Sequence, residues 1–277
     1  MTEYFAAIEG RKAPRVRTKF LARYVIPSDE HEFVTRLFEL GIVALHFESY
    51  DELAKHSDCK YAFDTSQYTS TMARRVESLN MVGDLLWPEI LPTRMLGLPV
   101  SAYQWLTVAS DVFLMRFVSV VDCALILINE VFECGLDEKK CSRENLRKVG
   151  VPAGVLQILD DLQGDQGELR TERNSRFHHG YERRFTCDDT TFRTASLLLH
   201  RGGAVGGHDA YGREIDVERF LKEGLVELQR DFNQSTKRMV KQLHRLYDHL
   251  WDEFETRFAP RIRVSTHGMR VTRQAAS

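Results

Sequence analysis

Apolar residues recur at helical spacing along most of this chain. Ser28, Asp29 and Glu30 can cap a helix that starts near His31, and Phe33, Leu37, Leu40, Val43 and Phe47 follow on one face. A second helical pattern runs from about Thr71 to Leu86, and Pro88, Pro92 and Pro99 then make a connector. The spacing predicts a long helix from Tyr103 to Cys134 with Gly135 as its C-terminal stop. Ser142 to Lys148 reads as a short helical turn. Pro152 opens another helix, with Val155, Ile158, Leu159 and Leu162 as its apolar face. That pattern continues through Leu169 and Phe177, with a break at Gly164 or Gly167, and Gly180 stops it. The last helix, Val217 to Phe258, carries a stripe that includes Phe220, Leu221, Leu225, Leu228, Phe232, Leu246 and Phe254, and Pro260 ends it.

Between these helices the pattern weakens. Residues 1–20 are basic and irregular and read as a loosely held arm or an edge strand. Tyr181 to Gly212 has little period; Thr194 to His200 fits a short helix or strand, and Arg201 to Gly207 is a glycine-rich connector. The expected fold is all-α, an up-and-down helical bundle with extra N-terminal helices and a long loop before the last helix. An α+β domain with edge strands near Arg17–Ile26 and Phe192–Leu199 is the alternative.

Charge narrows the function. The formal net charge is −2, so the molecule as a whole does not attract nucleic acid, and any such site must be a local patch. The N-terminus has acids and no long apolar run, unlike a secretory leader. The most apolar stretch, Val108 to Phe132, contains Asp111, Arg116 and Asp122, which are costly in lipid, so it reads as a core helix rather than a membrane span. Cys59, Cys123, Cys134, Cys141 and Cys187 are odd in number and form no C-x-x-C pair, which argues against a disulfide framework or zinc module and for a reducing, cytoplasmic setting. His200 and His208-Asp209 lack further ligands at fixed spacing, so no metal site is expected.

The chemistry concentrates between residues 168 and 184. Arg170, Arg173, Arg176, Arg183 and Arg184 stand there with His178, His179, Phe177 and Tyr181. Guanidinium groups suit phosphate, imidazoles move protons near neutral pH, and aromatic faces stack on bases. Asn174 and His178, four apart, share a helix face, whereas Arg173 lies about 140° from His178 on an ideal helix. On the preceding long helix Gln104, Asp111, Asp122 and Asn129 fall within about 20° of one another. Ser119 lies near that polar stripe and Arg116 farther round.

The run Arg173-Asn174-x-x-x-His178, followed by Gly180, resembles the R-x4–6-H motif of the HEPN superfamily, in which Arg-Asn is the commonest start and H-x-G a usual continuation. The resemblance implies an all-α, dimeric fold of HEPN type over residues 101–259. Residues 1–100 would be an N-terminal elaboration and 260–277 a basic flexible tail. It further implies a metal-independent endoribonuclease without cofactor, in a toxin–antitoxin or defence setting, with RNA, a second copy and a nucleotidyltransferase-type antitoxin as partners. Arg173 would stabilise phosphorane charge, Asn174 would orient, and His178 would transfer protons. Ser119, Asp122 or Arg116 would lend a polar group from the preceding helix. His179 also satisfies the looser motif spacing. Some members carry a tyrosine two residues after the motif histidine that a nucleotidyltransferase partner modifies; Tyr181 is three positions after His178 and two after His179. Arg170, Arg176, Phe177, Tyr181, Arg183 and Arg184 are the expected RNA contacts. An inactive HEPN-like module that binds RNA, nucleotide or partner, and a structural interaction protein, stand as alternatives.

Overall fold

The computed structural model describes residues 14–95, 97–265 and 269. It is an all-α helical bundle, with no strand among the described residues. The α-helices are α1 (Glu32–Gly41), α2 (Tyr50–Leu53), α3 (Ser57–Leu86), α4 (Ala102–Val131), α5 (Arg143–Lys148), α6 (Ala153–His179), α7 (Asp189–His200) and α8 (Val217–Val264). No described helix is long and apolar enough to cross a membrane. All five cysteines are free thiols.

The chain divides into two compact units. The first comprises Met1–Val25, Asn80–Met115 and Glu168–Ser235. Its core is aromatic: Tyr103 meets Phe185 and Phe192 edge-on at 5.6 and 5.5 Å, and Phe192 meets Phe220 at 5.6 Å. Residues 14–25 form no regular element; side chains of α8 and Trp87 hold them. Gln229 accepts the Leu21 N–H at 3.0 Å, Asn233 accepts the Tyr24 N–H at 3.0 Å and donates to the Ala22 carbonyl, and Trp87 donates to the Leu21 carbonyl. These side chains satisfy backbone groups that a regular element would otherwise pair. The edge-strand alternatives therefore give way to a pinned arm near Arg17–Ile26 and to helix α7 across Phe192–Leu199. In α7, Asp188 caps the Thr191 N–H at 3.2 Å.

The second unit comprises Ile26–Leu79, Arg116–Gly167 and Thr236–Ser277. Here Tyr61 stacks on Phe254 with centroids 5.2 Å apart and donates its hydroxyl to the Val131 carbonyl at 2.7 Å. Helix α3 starts at Ser57, well before the Thr71 that apolar spacing indicated. Its early turns bury Thr65, Ser66 and Thr69, polar residues that interrupt the apolar period yet are small enough for close packing. A methyl group at Gly41 would stand 2.2 Å from the Ser66 hydroxyl, so that approach requires glycine. Helix α8 passes through Pro260 instead of ending there. Arg261 ties the following turn down, bonding Glu133 at 2.5 Å and lying 4.3 Å over the Tyr61 ring. Arg270 and Arg273 of the basic tail lie outside the described residues.

Candidate functional site

Helix α6 changes direction once, at Gly167, where φ is 36° and ψ is −116°. Its first part belongs to the second unit and its last turns, Glu168 to His179, to the first. The helix stops where the sequence indicates: Gly180 takes φ 66°, and the Tyr181 N–H reaches back to the Ser175 carbonyl at 3.3 Å. This closure fixes the direction in which the last turn projects its side chains.

The inward side of that turn is a ladder of ion pairs. Arg176, whose side chain is 5% exposed, bonds Asp111 at 2.5 Å, the Ser110 hydroxyl at 2.9 Å and Glu172 at 3.3 Å. Glu172 also reaches Arg183 at 3.3 Å, and Arg183 bonds Asp231. Helices α4, α6 and α8 and the segment after Gly180 are therefore joined through alternating charges. Burial raises the Asp111 carboxyl above its ordinary value, against the pull of Arg176. Burial lowers the Arg183 guanidinium, but Asp231 and Glu172 outweigh it and the net shift is upward. With protein acceptors on both, Arg176 and Arg183 keep few N–H groups for a phosphate.

The outward side is different. Asn174, His178 and His179 are exposed, and none makes an ion pair or side-chain hydrogen bond among the described residues. The two imidazoles face each other edge-on with centroids 6.5 Å apart. Phe177 and Tyr181 are large and roughly half exposed beside them. Arg173 is half-buried and has no carboxylate partner among the described residues, and its Nε, out of solvent, has no acceptor among them. A donor in that state costs free energy until an acceptor arrives. Arg170 is half-buried and Arg184 is exposed.

Ser119, Asp122 and Arg116 belong to the second unit, the helix tip to the first. Asp122 and Arg116 are exposed, and the Ser119 hydroxyl donates to the Arg116 carbonyl at 2.9 Å. The polar stripe of α4 serves several local ends. Gln104 accepts the Ser101 N–H, Asp111 holds Arg176, and Asn129 closes the following turn on both the N–H and the carbonyl of Leu136.

Sequence reasoning missed two things. One is the carboxylate half of the ladder, of which only Glu172–Arg176, at helical i,i+4 spacing, leaves a local signal. The other is a cleft of about 600 Å3 in the first unit, with Arg15, Arg17, Arg184, Thr186, Glu223 and Arg230 in its lining. Asp209, paired in sequence with His208, is taken up by Arg213 at 2.7 Å, and no group of three His, Cys, Asp or Glu side chains fit to hold a metal exists among the described residues. No family model matches the chain, and no curated protein or solved structure matches it either.

Proposed function

We propose that the protein is a metal-independent endoribonuclease of HEPN type whose site is the outward face of the α6 terminus. The observation that carries this reading is the contrast within one helical turn. Arg176 is consumed by protein carboxylates, whereas Arg173 keeps an unsatisfied donor, and Asn174 and His178 are exposed with no side-chain partner among the described residues. Structural arginines collect carboxylates; a guanidinium kept for a transient phosphorane does not.

In the proposed reaction the 2′-hydroxyl of one nucleotide attacks its own 3′-phosphorus. His178 handles the proton, taking it from the 2′-oxygen or delivering one to the departing 5′-oxygen. Arg173 balances the added charge and Asn174 holds the phosphate or the imidazole. The P–O5′ bond breaks, leaving a 2′,3′-cyclic phosphate and a free 5′-hydroxyl. The nucleophile is the 2′-hydroxyl itself, so DNA is not a substrate. One imidazole cannot sit on both sides of an in-line displacement, so the second proton carrier is His179 or a histidine from a second copy in a dimer. Phe177 and Tyr181 supply stacking faces.

A binding module without catalysis is the second reading, favoured by the separate arginine-lined cleft. The two are told apart by offering an RNA oligomer and its all-2′-deoxy counterpart in the presence of a chelator. Cleavage of RNA alone supports the nuclease. Salt-dependent binding of RNA with no cleavage supports the module. Cleavage of both strands contradicts the 2′-hydroxyl mechanism.

A further inference from the structure

Helix α8 is amphipathic over its distal part, but near its start it is buried on nearly every side. Glu223, Gly224, Leu225 and Val226 are four consecutive buried positions. Glu223 lies opposite the apolar stripe, where a helix of this pattern would normally face water. Residues of the pinned arm and of the segment after Gly180 line a cleft together with Glu223 and Val226.

Its chemistry is asymmetric. Of the arginines in the lining, Arg183 is bound to Asp231 and Glu172, and Arg230 to Glu227 at 2.7 Å. Arg15, Arg17 and Arg184 line the cleft, are exposed and have no carboxylate partner among the described residues. Glu223, by contrast, is 5% exposed, and neither carboxylate oxygen has a hydrogen-bond partner. Arg219 stands 3.6 Å from one of them, beyond hydrogen-bonding reach. The Thr186 hydroxyl, also in the lining, is buried and unsatisfied too. Burial raises the Glu223 carboxyl above its ordinary value, against Arg213 and Arg219. A buried carboxylate with two idle acceptors is expensive, and a fold keeps one where a ligand supplies the donors.

We propose that this cleft binds a guanine nucleotide, with Arg15, Arg17 and Arg184 on the phosphate and Glu223 accepting the paired N–H donors of the base. Free guanidinium groups select phosphate. Two adjacent acceptors select an edge with two parallel donors, which guanine presents and the other common bases do not. The cleft volume falls in the range of about 300–1,000 Å3 usual for small-molecule sites. Val16, Phe185 and Val226 supply apolar walls for the base and sugar. The proposal is independent of the helix tip, since Arg173, Asn174 and His178 do not line the cleft.

The test is calorimetric titration of the full chain at low salt with GMP, AMP, inorganic phosphate and a 5′-phosphorylated RNA oligomer that begins with guanosine. GMP is expected to bind about tenfold or more tightly than AMP, the equivalent of one charge-assisted hydrogen bond. Glu223→Gln is expected to weaken GMP about tenfold while leaving phosphate unchanged, and Arg184→Ala to weaken both. Tighter binding of the oligomer than of GMP assigns the cleft to an RNA end, and tighter binding of GMP to the free nucleotide. Equal affinities for GMP and AMP, GMP binding indifferent to Glu223→Gln, or no saturable binding of GMP overturns the proposal. His178→Ala is expected to leave GMP affinity unaltered, so a failed nuclease assay and a failed titration are read separately.

Discussion

Arg176 and His178 are two positions apart on one helix, and their surroundings have little in common. Arg176 sits in a ladder of five charges, Asp111, Arg176, Glu172, Arg183 and Asp231, with its guanidinium almost out of solvent. His178 is exposed, as are Asn174, His179 and Phe177, and it makes no ion pair or side-chain hydrogen bond among the described residues. The ladder accounts for two of the arginines that make the sequence look like an RNA-binding patch. High arginine density is thus two features superimposed: a structural clamp that fixes the helix end, and a short exposed tip that the clamp presents. The difference teaches that a basic run must be divided by its carboxylate partners before it is read as a phosphate site.

Substitutions at the two positions should separate stability from activity. The largest effect is expected from Arg176→Ala, which strands Asp111 and Glu172 on one side of the ladder. Arg176 is buried but Asp111 is about a third exposed, so the cost is expected below that of a fully buried pair, about 2 kcal/mol, measurable as a lowered midpoint in urea unfolding with unchanged slope. A stability loss below about 0.5 kcal/mol would show that the ladder holds nothing.

His178→Ala is expected to reduce RNA cleavage about a hundredfold and to leave the urea midpoint within experimental scatter. Arg173→Ala should behave the same way, and its stability should not fall, since it breaks no ion pair. A protein destabilised by either change, with cleavage falling only in proportion to the folded fraction, would put these residues in the clamp.

Glu223→Gln offers the opposite signature. The folded-state carboxyl lies above its ordinary value, so the folded protein holds that proton more firmly than the unfolded chain. The resulting stabilisation is present below the unfolded value of about 4.3 and is lost as pH rises through the folded value. Near pH 7 the ionised carboxylate has Arg219 at 3.6 Å but no hydrogen bond, and its burial is a burden. The glutamine variant should therefore be more stable than the wild type by about 1 kcal/mol at pH 7, with the gap closing toward pH 4. A variant less stable at pH 7 would mean that Arg213 and Arg219 make Glu223 a structural anion.

The smallest effect is expected at Arg184. It is exposed and unpaired, so Arg184→Ala should change stability by less than about 0.5 kcal/mol. A larger loss in urea unfolding would move it from the cleft lining into the clamp.

How much of this was legible in the chain depends on whether a signal is local. Gly180 announced the end of α6, Ser142 the start of α5, and the apolar stripe the course of α8, because caps and periods are written within a few residues. The start of α3 was hidden by Thr65, Ser66 and Thr69, buried polar residues of which Ser66 lies against Gly41. Pro260 failed as a stop because Glu133 and Tyr61, remote in sequence, hold Arg261 beyond it. At the candidate site, the motif spacing named Arg173, Asn174 and His178 from a few residues. Asp111 and Asp231 are distant in sequence from Arg176 and Arg183, so no spacing rule could separate clamped arginines from free ones. Glu223 was invisible for the same reason: it reads as a solvated charge until the fold buries it.

The most direct measurement compares wild type, His178→Ala and His179→Ala on one RNA oligomer with a chelator present, reading both cleavage rate and product ends alongside the urea midpoint of each protein. The account predicts 2′,3′-cyclic phosphate ends from the wild type, about a hundredfold slower cleavage by His178→Ala, and equal midpoints for all three. Undiminished cleavage by His178→Ala, or no cleavage by any of them, would contradict it.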